Sequence, residues 1–289
     1  MTRTSWFRSV EHVVEALRTV GYLADEVAAT TVFLADAIGK PVLVEGPAGV
    51  GKTELAKAIA HAAGAELIRL QCYEGLDEAR ALYEWNYKKQ LLRIQAAGEQ
   101  SWDETQDDIF SEGFLLERPL LSAIRREGPT VLLIDEVDKT DVEVEGLLLE
   151  VLSDFQVTVP ELGTISAVQR PLVVLTSNAS RELSEALKRR CLFLHLGHPS
   201  PQREREILLS HVPEIGERLA EQVVETVARL RQLELRKAPS IAESIDWART
   251  LIALELDTLD EDAIRQTLGA VLKNESDQER ARRELALSR

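Results

Sequence analysis

Eight consecutive residues, Gly46-Pro47-Ala48-Gly49-Val50-Gly51-Lys52-Thr53, combine three glycines, a lysine and a hydroxyl in the spacing of a phosphate-binding loop. They follow the apolar run Pro41-Val42-Leu43-Val44-Glu45 and precede the helix-like Glu54-Leu55-Ala56-Lys57-Ala58-Ile59-Ala60. In that setting the glycines let backbone N–H groups curl round an anion, and the following helix adds its positive dipole end. Lys52 is placed for the β- and γ-phosphates, and the Thr53 hydroxyl for magnesium. A glycine-rich turn that merely ends a strand is the plain alternative, and the strand and helix flanks weigh against it. The implied ligand is a nucleoside triphosphate with Mg2+.

A second group follows the apolar run Val131-Leu132-Leu133-Ile134 and consists of Asp135 and Glu136. Asp135 at a strand end can hold the magnesium shell, and Glu136 can polarise a water for in-line attack on the γ-phosphate. Alone, the pair would serve equally as a helix cap with a solvated neighbour; after a phosphate loop on a separate strand, the catalytic reading is the more specific. A third run, Leu172-Val173-Val174-Leu175, leads into Thr176-Ser177-Asn178, where the Asn178 amide could orient the attacking water or simply cap a turn. The helix-like Glu182 to Cys191 carries Arg189 and Arg190 just ahead of a last apolar run; their plain reading is a basic helix end that complements the dipole.

These groups need elements to position them. Two helices are expected over residues 9 to 39, one with Val10, Val13, Val14 and Leu17 inward, the other with Val27, Val32, Phe33, Leu34 and Ile38 inward, stopped by Gly21 and Gly39. Short apolar runs at Val42–Val44, Glu66–Leu70, Thr130–Ile134, Leu172–Leu175 and Leu192–Leu196 alternate with helical segments. Runs of this kind suit strands buried on both faces, hence an α/β fold with a parallel sheet flanked by helices. Pro199-Ser200-Pro201 breaks the pattern. Beyond it Ile215, Leu219, Val223, Val227 and Leu230, then Ile245, Ala248, Leu251 and Ile252, recur at helical spacing. The expected organisation is a nucleotide-binding core over 1–199 and an all-helical second domain over 200–289. Glu99 to Glu112 is acidic and reads as a long surface loop, and Lys273 to Arg289 as either a solvated helix or a frayed tail.

Composition narrows the partners. The 289 residues carry 34 basic and 49 acidic side chains, a formal charge of −15, which repels phosphate backbones and argues against general nucleic-acid binding. The two cysteines, Cys72 and Cys191, have no neighbours at metal-ligand spacing. The start lacks the apolar core of a signal peptide, and no run approaches the ~20 apolar residues that span a bilayer, so a cytoplasmic protein without a membrane span is expected.

Together the segments GPAGVGKTELAKAIA, LLIDEVDK, LTSNASRELSEALKRRC and SIAESIDWARTL resemble AAA+ ATPases, and within them the CoxD-like branch of the MoxR type; the likeness spans most of residues 41 to 252. The resemblance implies an α/β ATP-binding core, a C-terminal helical lid and a homo-oligomeric ring, usually a hexamer, with ATP at the subunit interfaces. It makes Asn178 the first sensor and Arg190 the finger that reaches a neighbour's γ-phosphate, with Arg189 next in line if the register slips by one. It also matches Leu76–Gln95 to an insert in the second core helix and Gln156–Ala167 to a hairpin ahead of the first-sensor strand. Tyr73, Tyr83, Trp85 and Tyr87 fall in or beside that insert, where they either pack it or grip a client polypeptide. The sequence departs from the pattern at the second sensor: Ala242 stands where related rings often have an arginine, and Arg249 lies two turns further on.

The implied activity is ATP hydrolysis by a chaperone that matures a client enzyme, often a metalloenzyme, with a partner bearing a von Willebrand factor A domain. An ATP-binding assembly scaffold with little hydrolysis, a restriction-type nucleic-acid motor and a small-molecule kinase are the alternatives. Intact Glu136 weighs against the first, the acidic charge against the second, and the paired carboxylates with the arginine pair against the third.

Overall fold

Five apolar runs form one parallel sheet, and the strands it buries most deeply are those that end in the candidate catalytic residues. The computed structural model describes residues 5–97 and 108–285. The chain divides into two units, one built from the chain up to Glu45 together with Thr53–His195, the other from Gly46–Lys52 together with the chain from Leu196 onward.

In the first unit the helices are α1 (Val10–Thr19), α2 (Glu26–Ile38), α3 (Lys52–Ala62, which begins at the unit boundary), α4 (Glu78–Ala81), α5 (Tyr87–Ala97), α6 (Pro119–Arg125), α7 (Val142–Asp154) and α8 (Glu185–Arg190). The strands are β1 (Val42–Glu45), β2 (Glu66–Gln71), β3 (Tyr83–Trp85), β4 (Leu115–Glu117), β5 (Thr130–Asp135), β6 (Gln156–Val159), β7 (Gly163–Ser166), β8 (Leu172–Ser177) and β9 (Leu192–His195). The main sheet runs β2-β5-β8-β1-β9, and every pairing in it is parallel. Every residue of β5 and of β8 is buried. The edge strands depart from the expectation of burial on both faces: β2 buries only Leu70 fully and β9 only Leu194, while Phe193 is 59% exposed. An edge strand has a neighbour on one side alone, so its flanks reach solvent more readily.

Both N-terminal helices form, capped by Ser9 and Asp25, and α2 stops at Gly39 in the left-handed conformation with φ 67°. α1 buries Val13 and Leu17 as its spacing implies. α2 does not bury the face expected of it. Val27, Leu34 and Ile38 are exposed, and the inward face is Ala28, Ala29, Val32, Ala35 and Asp36. The helix is apolar nearly all round, so side-chain size misleads; the small alanines allow close approach, and Asp36 turns inward because Oδ2 accepts from the Trp6 and Phe7 amides at 2.7 and 3.0 Å.

The segment matched to the insert contains α4, β3 and α5, and β3 pairs antiparallel with β4. Its aromatics split. Trp85 is buried and meets Phe110 edge-on with ring centroids 5.4 Å apart, Tyr83 is half-buried beside it, and Tyr73 and Tyr87 are exposed. β6 and β7 form an antiparallel hairpin within Gln156–Ala167. Most of the acidic stretch from Glu99 to Glu112 lies outside the described residues.

The second unit carries α9 (Pro201–His211), α10 (Glu217–Gln232), α11 (Ile241–Ala253), α12 (Glu261–Val271) and α13 (Glu275–Glu284). Leu219, Val223, Val227 and Leu230 line one buried face of α10 and pack with Trp247, Leu251 and Leu268. The charged segment from Lys273 becomes helical at Glu275 and stays so through Glu284, anchored by buried Asp277 and Ala281. Ser240 and Glu243 form a capping box that fixes where α11 begins. A buried ion pair lies beneath it: Arg231 binds Glu204 through both terminal nitrogens at 2.5 and 2.8 Å and donates from Nε to the Pro239 carbonyl at 2.7 Å. No described helix is long and apolar enough to cross a membrane.

Candidate active site

The phosphate loop is built where a side chain could not be tolerated. A Cβ on Gly46 would stand 1.9 Å from the Leu196 carbonyl oxygen; one on Gly49, at φ +77°, would stand 2.2 Å from Ser240 Oγ. Lys52 is buried and its ammonium donates to the Gly46 and Pro47 carbonyls, both at 2.7 Å. α3 begins at Lys52, so the N-terminal end of the helix adjoins the loop, as an anion site requires. Within the same unit Ala242 donates its backbone N–H to the Gly49 carbonyl at 3.3 Å. Ala242 therefore lies against the loop, but its side chain offers only a methyl group, while the Arg249 side chain is 59% exposed and faces Asp246 at 3.8 Å.

In the first unit, register sets the neighbours of the Asp135 carboxylate. Gln71 pairs with Asp135 across β2 and β5, and Asp135 follows the Ile134–Leu175 pair, which puts Thr176 on its other side. Asp135 is 2% exposed. Its Oδ1 accepts from Thr176 Oγ1 at 2.5 Å and from Thr53 Oγ1 at 3.0 Å, and its Oδ2 accepts from Arg69 Nη2 at 2.6 Å. A hydroxyl and a carboxylate this close are hard oxygen donors of the kind magnesium takes, so Thr53 and Asp135 fit that ion.

Glu136 turns the chain out of β5 in the left-handed conformation, φ 57° and ψ 48°, which costs a non-glycine residue about 1–3 kcal/mol. The turn is held by its own N–H, which donates to Thr176 Oγ1 at 2.9 Å. Its carboxylate is gripped from both sides, by Asn178 Nδ2 at 3.3 Å and Gln71 Nε2 at 3.1 Å. Asn178 is itself positioned. Buried Asp138 accepts from the Asn178 N–H at 3.2 Å, the Ser180 N–H at 2.9 Å and Ser180 Oγ at 2.6 Å. Burial pushes the Asp138 carboxyl up, but these hydrogen bonds outweigh it and hold the group below the usual carboxylate range. Cys72 lies alongside, its thiol pushed up to about 12 by burial and by the charges of Asp135, Asp138 and Glu136, so it stays protonated.

The structure thus gathers Thr53, Asp135, Glu136 and Asn178 of the sequence-derived set. Arg189 and Arg190 end α8 on the surface, where Arg190 donates to Ser153 Oγ at 2.7 Å and to the Ala186 carbonyl at 3.1 Å. Sequence reasoning missed Arg69, Gln71, Thr176 and Asp138. The first two had a readable signal: polar residues two apart at the end of a strand share one face, and that strand adjoins the carboxylates only once its partner is known.

A phosphate loop ahead of a helix, a strand-end Asp-Glu pair with an asparagine on the next strand, and a five-stranded parallel sheet with C-terminal helices define an AAA+ ATPase, whose ligands are ATP and Mg2+. The chain belongs to the AAA domain family, dynein-related subfamily, whose profile matches residues 41–191, more than half of the chain. It is similar to the chaperone protein ClpB 1 of Nostoc sp. (strain PCC 7120), with 32% identity over 145 residues, 48% of this chain and 14% of that protein. It therefore spans a small part of the length of this relative. An uncharacterized protein of Staphylococcus aureus (strain USA300) is 27% identical over 252 residues, which cover 84% of this chain and 88% of that one. Among solved structures, a point mutant of RuvB from Thermotoga maritima superposes with a TM-score of 0.50 at 21% identity over 92% of this chain and 72% of its own, a likeness of fold.

Proposed function

We propose that the chain is an ATP-hydrolysing chaperone subunit of MoxR type, from its CoxD-like branch, with a core over 1–199 and a lid over 200–289. It works as a hexameric ring that remodels a client metalloenzyme together with a von Willebrand factor A domain partner. The observation that carries the hydrolytic reading is two pairs on neighbouring strand ends, the Thr53 hydroxyl on the Asp135 carboxylate and the Asn178 amide on the Glu136 carboxylate. The chaperone reading rests on the motifs, on the hairpin Gln156–Ala167 and the insert, and on similarity to a relative named as a chaperone.

Loop amides from Gly46, Pro47, Ala48, Gly49, Val50 and Gly51, with Lys52, hold the phosphates. Thr53 and Asp135 hold magnesium, which when bound neutralises charge on the phosphate oxygens. Glu136 accepts a proton from water as the new P–O bond forms and the bond between γ-phosphorus and the ADP oxygen breaks; Asn178 keeps that carboxylate and water oriented. Arg190 of one subunit, or Arg189 if the register slips, neutralises the γ-phosphate held by the next. Glu136→Gln is expected to lower kcat by about 10²–10⁴-fold while ATP still binds; loss of binding together with turnover would assign Glu136 to structure instead.

A scaffold that binds ATP and seldom hydrolyses it is the second reading. Ala242 at the Gly49 carbonyl favours it, since no lid side chain there can reach charge on the γ-phosphate.

A further inference from the structure

Arg69 is a charged residue of the site for which the proposed reaction has no use. It lies on β2 two residues before Gln71, on the same face, and Nη2 donates both to Gln71 Oε1 and to Asp135 Oδ2, the latter at 2.6 Å. The partners differ sharply in environment: the Asp135 side chain is 3% exposed and that of Arg69 48%. A buried carboxylate needs a compensating charge, and this guanidinium supplies one in direct contact. Its outer half already meets water, so it can leave without being desolvated again.

Asp135 is also the carboxylate whose other oxygen lies 3.0 Å from the Thr53 hydroxyl. A divalent cation held by Thr53 and Asp135 would put three positive charges on one carboxylate if Arg69 stayed, and like charges at contact distance disfavour each other strongly. We propose that Arg69 is a resident counter-cation of Asp135 that competes with the metal ion, so that metal-nucleotide binding displaces the Arg69 guanidinium into solvent. The proposal rests on the reading of Thr53 and Asp135 as the magnesium ligands. It makes Arg69 a positioning residue that sets how much metal the site requires.

The test uses Mn2+ as the probe, with its affinity for the ADP-loaded chain read by loss of the free-ion electron paramagnetic resonance signal, so that no turnover is involved. In Arg69→Gln and Arg69→Met, Mn2+ affinity is expected to rise by about fivefold or more, and in Arg69→Lys to stay near that of the wild type. Unchanged or weaker binding in the two neutral variants would overturn the proposal. The wild type supplies a measurement that no folding defect can confound: the rate at which phenylglyoxal modifies Arg69, read by peptide mass spectrometry, should be higher with Mn2+ and ADP than with ADP and chelator. Equal rates would overturn the proposal as well. Failure of the wild type to bind ADP with Mn2+ at all would instead remove the magnesium-site reading on which it rests.

Discussion

Asp138 braces the turn that carries one of the proposed catalytic residues. Its three accepted hydrogen bonds fix the turn that carries Asn178, and Asn178 in turn holds Glu136. Asp138→Asn turns an acceptor oxygen into a donor facing N–H groups, so kcat is expected to fall by about 10- to 100-fold and stability by about 1–3 kcal/mol. Steady-state kinetics beside a urea melt separate the two effects, and unchanged kcat with lowered stability would make Asp138 purely structural. Its carboxyl lies below the usual range in the folded chain, so its stabilising contribution is complete above the unfolded value of about 4 and disappears as pH falls through the lower folded value. The acid limb of the stability profile should therefore be shallower in Asp138→Asn than in the wild type. The loop, Asp135, Glu136 and Asn178 were legible as residue types at strand ends. Arg69 and Gln71 were legible only as polar residues on one face of a strand, and what they and Thr176 meet depends on strand order, which local sequence does not specify.

At the scale of elements, the helical unit is organised on a buried charge. Glu204 is fully buried, receives both Arg231 nitrogens and the Ser244 hydroxyl at 2.6 Å, and Arg231 also ties down Pro239 just ahead of α11. Removing one partner strands the other. Arg231→Met should cost about 3–5 kcal/mol, whereas Glu204→Leu with Arg231→Met should recover much of that loss. Denaturant melts of both singles and the double variant complete the cycle; additive losses would show the pair to be uncoupled. The α10 face was legible because its periodicity and its burial coincide. That of α2 was not, because a helix apolar on most sides has no unique inward stripe, and its contacts are made by alanines and a hydrogen-bonded aspartate. The β3–β4 pairing was equally hidden, since its partners lie about 30 residues apart and a pairing at that distance has no turn signature.

For the whole molecule, a formal charge of −15 repels phosphate backbones. Retention of DNA should therefore be absent even at low salt. The central claim is that Arg190 completes the active site of a neighbouring subunit. It is tested most directly by the ATPase rate per chain as a function of protein concentration, with wild type beside Arg190→Ala. The account predicts a per-chain rate that climbs with concentration in the wild type and is lost in the variant, as a shared site requires. A rate that is flat with concentration and indifferent to Arg190 would contradict it.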